Sequence, residues 1–455
     1  MVESDTIAAI ATPPGTGGVA VIRISGSSAL SVLKRVFCFA EEFEHGKMCY
    51  GSIMQNGERL DRVLAVMFYA PHSYTGEDTA ELHCHGSAIG VSRILDFIFE
   101  SGARPAQPGE FTKRAFLNGK MDLSQAEAVG DFISASSKAG ARAALFQMEG
   151  SVKNTVLAFQ ENLTDLLARV TAAVEYPEED LEDEISLEAI PVLEKLEQEI
   201  NALAQTFGSG SILKEGLNVA IVGKPNVGKS SLLNALLGTE RAIVADVPGT
   251  TRDTIEQSFT VDGIRINMTD TAGIRRTKDV VESQGVNRSK DALNKCKLAI
   301  FVLDSTGHLT EEDEFVFQAL KKSKIDVMVV FNKLDASQSL TEEEVLEKFP
   351  AVRYMKTSAK TGLGIEELKK WISGYARIDV TSAEDTIITS QRHRYSLLQA
   401  SEQLNEARRA LADGMDMDCV TIDLNGAWNS LGEITGNTVT EDIIDRVFEK
   451  FCLGK

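Results

Sequence analysis

Residues 223–230 read GKPNVGKS, preceded by the apolar run LNVAIV and followed by SLLNALLG with helical spacing. A G-x-x-x-x-G-K-[ST] octapeptide between a strand and a helix commits this stretch to an α/β sheet whose loop presents backbone N–H groups at a helix N-terminus. Such a loop binds phosphate. Lys229 reaches the β and γ oxygens and the Ser230 hydroxyl ligates Mg²⁺, with Asn226, Val227, Gly228 and Ser231 completing the cradle.

Further motifs follow in order. Asp270 closes the strand-like run IRINMTD, at the carboxyl end where open α/β sheets bind ligands, and opens the motif Asp270, Thr271, Ala272, Gly273. The intervening PGTTRD lets Thr251 give Mg²⁺ a second hydroxyl and so report on the γ-phosphate. NKLD (332–335) directly follows the apolar run DVMVVF, and SAK occupies 358–360. A carboxylate at Asp335 accepts from both the ring N–H and the exocyclic amine of guanine, whereas adenine offers neither donor and leaves the charge unpaired. Discrimination on the order of 10⁴ follows from such a mismatch. Asn332 bonds another edge of the base, Lys333 lies over the ring and the Ala359 N–H reaches the carbonyl, between Ser358 and Lys360. The set points to GTP and to its hydrolysis.

Ile274 stands where small signalling GTPases carry a glutamine that orients the attacking water, and an isoleucine cannot do this. The candidates nearby are Arg275, Arg276 and Glu282, of which Glu282 is able to act through a bridging water. The alternative for Glu282 is a solvated residue at a helix start.

The module is a fraction of 455 residues. Residues 1–119 alternate short apolar runs with Gly and Pro, a mixed α and β pattern. Helical spacing begins near Ser124, where Ser124 and Glu127 fit a capping box, and continues through Leu163, Leu167, Val170 and Val174. The acidic run 175–188 reads as a solvated loop or helix face, and Gly208–Ser211 as a flexible joint. Helices return after 378, with stripes Leu397, Ala400, Leu404, Ala407, Leu411 and Val420, Leu424, Ala427, Leu431. The expected architecture is multidomain: an α+β N-terminal domain (1–119), an α-helical bundle in two halves (120–212 and 379–455), and an inserted α/β P-loop GTPase domain (216–378).

Net charge is −20, yet residues 217–378 carry 23 basic and 22 acidic side chains, so the excess acid lies outside the module. Bulk electrostatics therefore cannot drive RNA binding, and any RNA contact needs a local basic patch or a partner. Six scattered cysteines without a Cys-x-x-Cys pair read as reduced thiols, which with no signal peptide and no stretch of bilayer length points to the cytoplasm. His83 and His85 share a strand face, and two ligands do not make a zinc site. Cys452 reads as a buried small hydrophobe, or else as a working thiol.

GKPNVGKS, PGTTRD, DTAG, NKLD and SAK, the inserted position of the module, LNGKMDL near residue 120 and the terminal FCLGK closely resemble the tRNA-modifying GTPase family MnmE (TrmE) along the whole chain. That resemblance implies an N-terminal domain similar to folate-dependent aminomethyltransferases, which also dimerises. It implies a flavin-dependent partner (MnmG/GidA) with which an aminomethyl or carboxymethylaminomethyl group is placed on carbon 5 of the wobble uridine of certain tRNAs. Methylenetetrahydrofolate supplies the carbon. It further implies K⁺ beside the phosphates, held by Asn226 with Ala245, Val247 and Thr250, in a segment Ala245, Asp246, Val247, Pro248, Gly249, Thr250 that closes over the ion. Glu282 matches the family's catalytic glutamate, and Arg23, Glu81, Lys120 and Lys455 match folate-site positions. HGS at 85–87 departs from the family's HGG. Two other classes remain: a ribosome-assembly GTPase binding rRNA, against which the acidic flanks argue, and a membrane-remodelling GTPase, whose helices would need a basic face.

Overall fold

Alternation along β2 (Gly17–Ser25) and β6 (Thr79–Gly86) decides the first layer, because every second residue is apolar and buried. The computed structural model describes residues 5–39, 41–175, 182–238, 256–270, 296–323, 325–349, 352–376, 386–452 and 454. It divides into two compact units, Met1–Ile133 with Ala144–Ala204 and Arg392–Lys455, and Ser134–Ala143 with Gln205–Gln391.

In the first unit β1 (Ile7–Ile10), β2, β3 (Phe37–Cys38), β4 (Cys49–Gln55), β5 (Glu58–Phe68), β6 and β7 (Arg104–Pro105) form one sheet in the order β3-β4-β5-β6-β2-β1-β7. Ile22, Ile24, Ala65, Met67, Leu82 and Cys84 point to one face, which α1 (Ala29–Val36) and α2 (Ala88–Glu100) cover with Val32, Leu33, Val91, Ile94 and Ile98. The opposite face carries two rows. Arg23 pairs with Glu81, and Tyr50, Leu64, His83 and Val21 neighbour one another in turn. Ser87 of the HGS turn caps α2, its Oγ accepting from Gly90 N at 3.3 Å, so the departure from HGG supplies a helix cap.

The unit continues with α3 (Glu110–Leu117), α4 (Leu123–Ser134), α6 (Ser151–Glu175), α7 (Glu182–Gln205), α13 (Gln391–Ala412), α14 (Met417–Thr435) and α15 (Glu441–Phe448); the residues of α5 (Lys138–Met148) fall partly in each unit. Ser124 is not the cap of α4. Asp122 accepts from Gln125 N (2.9 Å) while Gln125 Oε1 accepts from Asp122 N (3.0 Å), a reciprocal cap two residues earlier than the sequence suggested. Glu127 is thereby released to pair with Arg392 and His393. Val152, Val156, Phe159, Leu163, Leu166 and Val170 are buried along α6 at alternating spacings of three and four. They pack against α14, whose Val420, Leu424, Ala427 and Leu431 are fully buried, and Gln160 Nε2 donates to the Trp428 carbonyl at 3.0 Å. The two helical flanks thus share one core.

The second unit holds β8 (Leu217–Val222), β9 (Glu256–Val261), β10 (Ile264–Asp270), β11 (Leu298–Asp304), β12 (Asp326–Asn332) and β13 (Arg353–Lys356), in the order β13-β12-β11-β8-β10-β9. All pairings are parallel except β9 with β10. β8 and β11 are buried almost without interruption, as a parallel sheet covered on both faces requires. The helices are α8 (Phe207–Glu215), α9 (Lys229–Leu237), α10 (Glu311–Lys322), α11 (Glu342–Lys348) and α12 (Ile365–Tyr375). Gly208–Ser211, expected as a flexible joint, lie inside α8. Gly210 serves packing there: a Cβ on it would stand 2.0 Å from the Ile388 carbonyl oxygen, and Ile388 N donates to Thr206 Oγ1 at 3.0 Å. Among the described residues no helix is long and apolar enough to cross a membrane.

Candidate functional site

Parallel strands place their carboxyl ends along one edge, and the candidate nucleotide residues lie on the loops there. After β8 the chain turns at Gly223 (φ 153°), where a Cβ would sit 2.5 Å from the Val302 carbonyl oxygen. Asn226 (φ 64°) and Gly228 (φ 97°) complete the turn, and α9 begins at Lys229. Lys229 Nζ curls back over the loop, donating to the carbonyls of Gly223 (2.8 Å) and Lys224 (2.9 Å). Ser230 and Ser231 are exposed in the first turn of α9, at the positive end of the helix.

Asn332, 2% exposed at the end of β12, ties this loop to the second half of the site: Nδ2 donates to the Val227 carbonyl (2.9 Å) and Oδ1 accepts from Ala359 N (3.1 Å). Lys333 Nζ donates to the Asn226 carbonyl and to Asp304 Oδ2, both at 2.6 Å. Ser358 Oγ donates to Asp335 Oδ1 at 2.6 Å, and Lys360 Nζ lies 3.8 Å from the other oxygen. The Ser358 hydrogen bond, then a backbone N–H and the Lys360 charge, hold the Asp335 carboxyl below its ordinary range. At neutral pH it is an ionised acceptor, as pairing with two donors of one guanine edge requires.

Asn226, Val227, Gly228 and Lys229 are thus joined to Asn332, Lys333, Asp335, Ser358, Ala359 and Lys360 through a few direct hydrogen bonds. Asp270 closes β10 beside β8, in register with Ile221. Ala245, Asp246, Val247, Pro248, Gly249, Thr250, Thr251, Thr271, Ala272, Gly273 and Glu282 lie outside the described residues. One member of the cluster had escaped the sequence reading. Asp304 ends β11; burial alone would raise its carboxyl, but the Lys333 ammonium and the Thr306 donors outweigh burial and hold it low. Its only sequence signal is an acid closing the apolar run LAIFVL.

In the first unit Arg23 Nε donates to Glu81 Oε1 at 2.9 Å, and the guanidinium lies 5.1 Å from the Tyr74 ring centroid and 5.7 Å from that of Phe111. His83 Nε2 is 3.6 Å from Glu81 Oε2 and, among the described residues, has no hydrogen-bond partner. His85 Nδ1 lies 2.7 Å from Asp61 Oδ1. Lys120 Nζ donates to the Pro71 carbonyl at 3.0 Å, on the loop that also carries Tyr74. Lys455 lies outside the described residues, but Gly454 lies so close to the end of β1 that a Cβ there would be 2.2 Å from the Ile10 carbonyl oxygen. The tail therefore ends beside the strand that pairs with Arg23's own. A carboxylate, a guanidinium, aromatic plates and an imidazole nitrogen with no hydrogen bond among the described residues fit a flat heterocycle with donor and acceptor edges.

Cys452 is exposed, against the expectation of a buried hydrophobe. Phe448 fills the apolar space instead and is 2% exposed, leaving the cysteine to face outward. Two partly buried charge networks have no signal in the sequence: Asp5, Glu77, Glu110 and Arg104 around Arg114, and Glu127 with Arg392 and His393. Their members come from distant positions, so no local pattern announces them.

Residues 6–120 match the model of the GTP-binding protein TrmE N-terminus, and residues 123–452 that of the MnmE helical domain. Two relatives called tRNA modification GTPase MnmE, from Alkaliphilus metalliredigens and Clostridioides difficile, are each 43% identical, with the whole of both chains covered. Among solved structures, the G domain of the T. maritima FeoB iron transporter is 30% identical over 35% of this chain and 99% of its own, with a TM-score of 0.28. A phosphate-loop module inserted in the sequence between two helical flanks that share a core, joined to both family-model matches and full-length identity, places the chain in the MnmE family of tRNA modification GTPases.

Proposed function

We propose that the chain is a K⁺-dependent GTP hydrolase that works with a flavin-dependent partner of the MnmG/GidA kind. Together they install an aminomethyl or carboxymethylaminomethyl group at carbon 5 of the wobble uridine of certain tRNAs, with methylenetetrahydrofolate as one-carbon donor. The observation that carries the nucleotide half is the Asp335 carboxylate, kept ionised by Ser358 and linked to the phosphate loop through Asn332. In this reading Asp335 selects guanine, Lys229 and the amides opening α9 hold the phosphates, and Ser230 with Thr251 holds Mg²⁺. Asn226, Ala245, Val247 and Thr250 hold K⁺, which offsets charge developing between the β and γ oxygens. Glu282 orients the attacking water through a bridging water.

Arg23, Glu81, Lys120 and Lys455 bind the folate, the acid toward the pterin donors and the bases toward the anionic tail. A homodimer formed through the N-terminal domain has support in apolar side chains that its sheet leaves exposed, Val19 at 60% and Tyr50 at 63%. The site of action is the cytoplasm.

The test is GTP turnover in K⁺ and in Na⁺, with and without the flavoprotein, beside a folate titration of the isolated chain. Faster turnover in K⁺ and saturable folate binding that Arg23→Ala weakens are expected. Equal rates in the two salts remove the K⁺ assignment, and absent folate binding removes the modification chemistry. Glu282→Ala should slow turnover while nucleotide affinity holds; a large loss of affinity would reassign Glu282 to binding.

A further inference from the structure

Lys224 is the second residue of the phosphate loop, and its side chain leaves the loop for another helix. Its Nζ donates to Asp313 Oδ2 at 2.8 Å and lies 3.5 Å from Thr310 Oγ1. Asp313 is 1% exposed in the first turn of α10, and the same oxygen also accepts from Thr310 N (3.0 Å) and Thr310 Oγ1 (2.7 Å). An ammonium at the positive end of a helix is disfavoured by the helix dipole, so the carboxylate is what holds it there. A buried ion pair is also a poor source of stability compared with apolar packing. What such a pair does supply is position.

The position concerned is that of Asn226. Pro225 restricts Lys224 to extended backbone, and Asn226 then enters the left-handed region at φ 64°. From the far side its carbonyl is held by Lys333, itself paired with Asp304. From the near side, Lys224 is anchored by Asp313, and its carbonyl accepts from Lys229 Nζ at 2.9 Å. Asn226 is therefore clamped between two ion pairs, each formed with an acid outside the loop.

We propose that Lys224 and Asp313 are a positioning pair: their ion pair fixes the backbone of Asn226 and so sets how strongly the nucleotide site depends on K⁺. This rests on the K⁺ reading above and assigns the requirement to two residues outside the ligand set. Lys224→Met removes the charge. Asp313→Asn removes it too but keeps an acceptor for Thr310 N, so the cap of α10 survives. Lys224→Arg is the rescue.

Full-length variants are compared by the K⁺ concentration that half-activates GTP turnover and, without turnover, by affinity for a fluorescent non-hydrolysable GTP analogue in K⁺ and in Na⁺. Lys224→Met and Asp313→Asn should each raise the half-activating K⁺ about tenfold, and the double variant should be no worse than either, as for one shared interaction. Both should abolish the affinity gained on exchanging Na⁺ for K⁺, so that affinity in K⁺ falls to that in Na⁺. Lys224→Arg should restore the parent's behaviour. Equal losses of affinity in both salts, or an unchanged K⁺ requirement in folded variants, would overturn the inference. If the unmodified protein already turns over equally in both salts, it is the K⁺ reading that fails, taking the inference with it.

Discussion

A single methyl group at Gly228 tests whether the phosphate loop and the base-reading strand form one site. The residue sits at φ 97° immediately before α9, and a Cβ there would stand 2.4 Å from Asn332 Nδ2. Alanine in the left-handed region costs about 1–2 kcal/mol. The contact is far inside van der Waals separation, so Asn332 must also move, releasing its bonds to the Val227 carbonyl and Ala359 N. At roughly 1 kcal/mol for each bond, the total reaches about 3–4 kcal/mol. Nucleotide affinity should then fall on the order of 10²- to 10³-fold. Asn332→Ala alone should lose about 2 kcal/mol, and Gly228→Ala added to it should lose only the backbone strain, because the clashing amide has gone. Titration of a fluorescent GDP analogue against the three variants, with circular dichroism melts as a check on folding, reads all of these values. Additive losses, or a Gly228→Ala variant with the parent's affinity, would refute the coupling.

Two further outcomes test the first unit. Burial pushes the Glu127 carboxyl up, but the His393 and Arg392 charges beside it outweigh burial and hold it below the ordinary range. A carboxyl lowered on folding contributes stability fully above its unfolded value near ~4.3 and loses it as pH falls through that value toward the folded one. Glu127→Gln should therefore destabilise the protein at neutral pH, with the gap closing at about pH 4 and below; urea unfolding across pH checks this, and a constant gap would refute charge pairing as the cause. Burial raises the Cys84 thiol to about 12, whereas Cys452 is exposed. Iodoacetamide on the folded protein should label Cys452 and spare Cys84, as read by peptide mass mapping, and comparable labelling would contradict the placement.

The nucleotide module was the most legible part of the chain, because its motifs occupy strand ends and a parallel sheet brings those ends together by geometry alone. Asn332 and Asp335 could be named from sequence for that reason. The role of Asn332 as a bridge could not, since it depends on the Val227 carbonyl reaching β12 across 105 positions. Periodicity located the buried stripes of α13 and α14 and the pairing of the two flanks, because apolar spacing is a local property. It failed where one residue type has two uses. Gly210 reads as flexibility in the sequence and serves close packing, and Ser124 reads as a cap while Asp122, two residues earlier, takes that role. Arg23 and Glu81 became candidates through resemblance, whereas the aromatic rings beneath the guanidinium were legible only in three dimensions.

Whether a carboxylate at position 335 chooses the purine is decided most directly by Asp335→Asn, assayed for affinity and turnover with GTP and xanthosine triphosphate. An amide presents a donor where the carboxylate accepts, which suits the xanthine carbonyl and opposes the guanine amine. GTP binding should weaken on the order of 10²-fold or more while the xanthosine nucleotide becomes the preferred substrate. Undiminished preference for GTP in a folded Asp335→Asn protein would contradict the account.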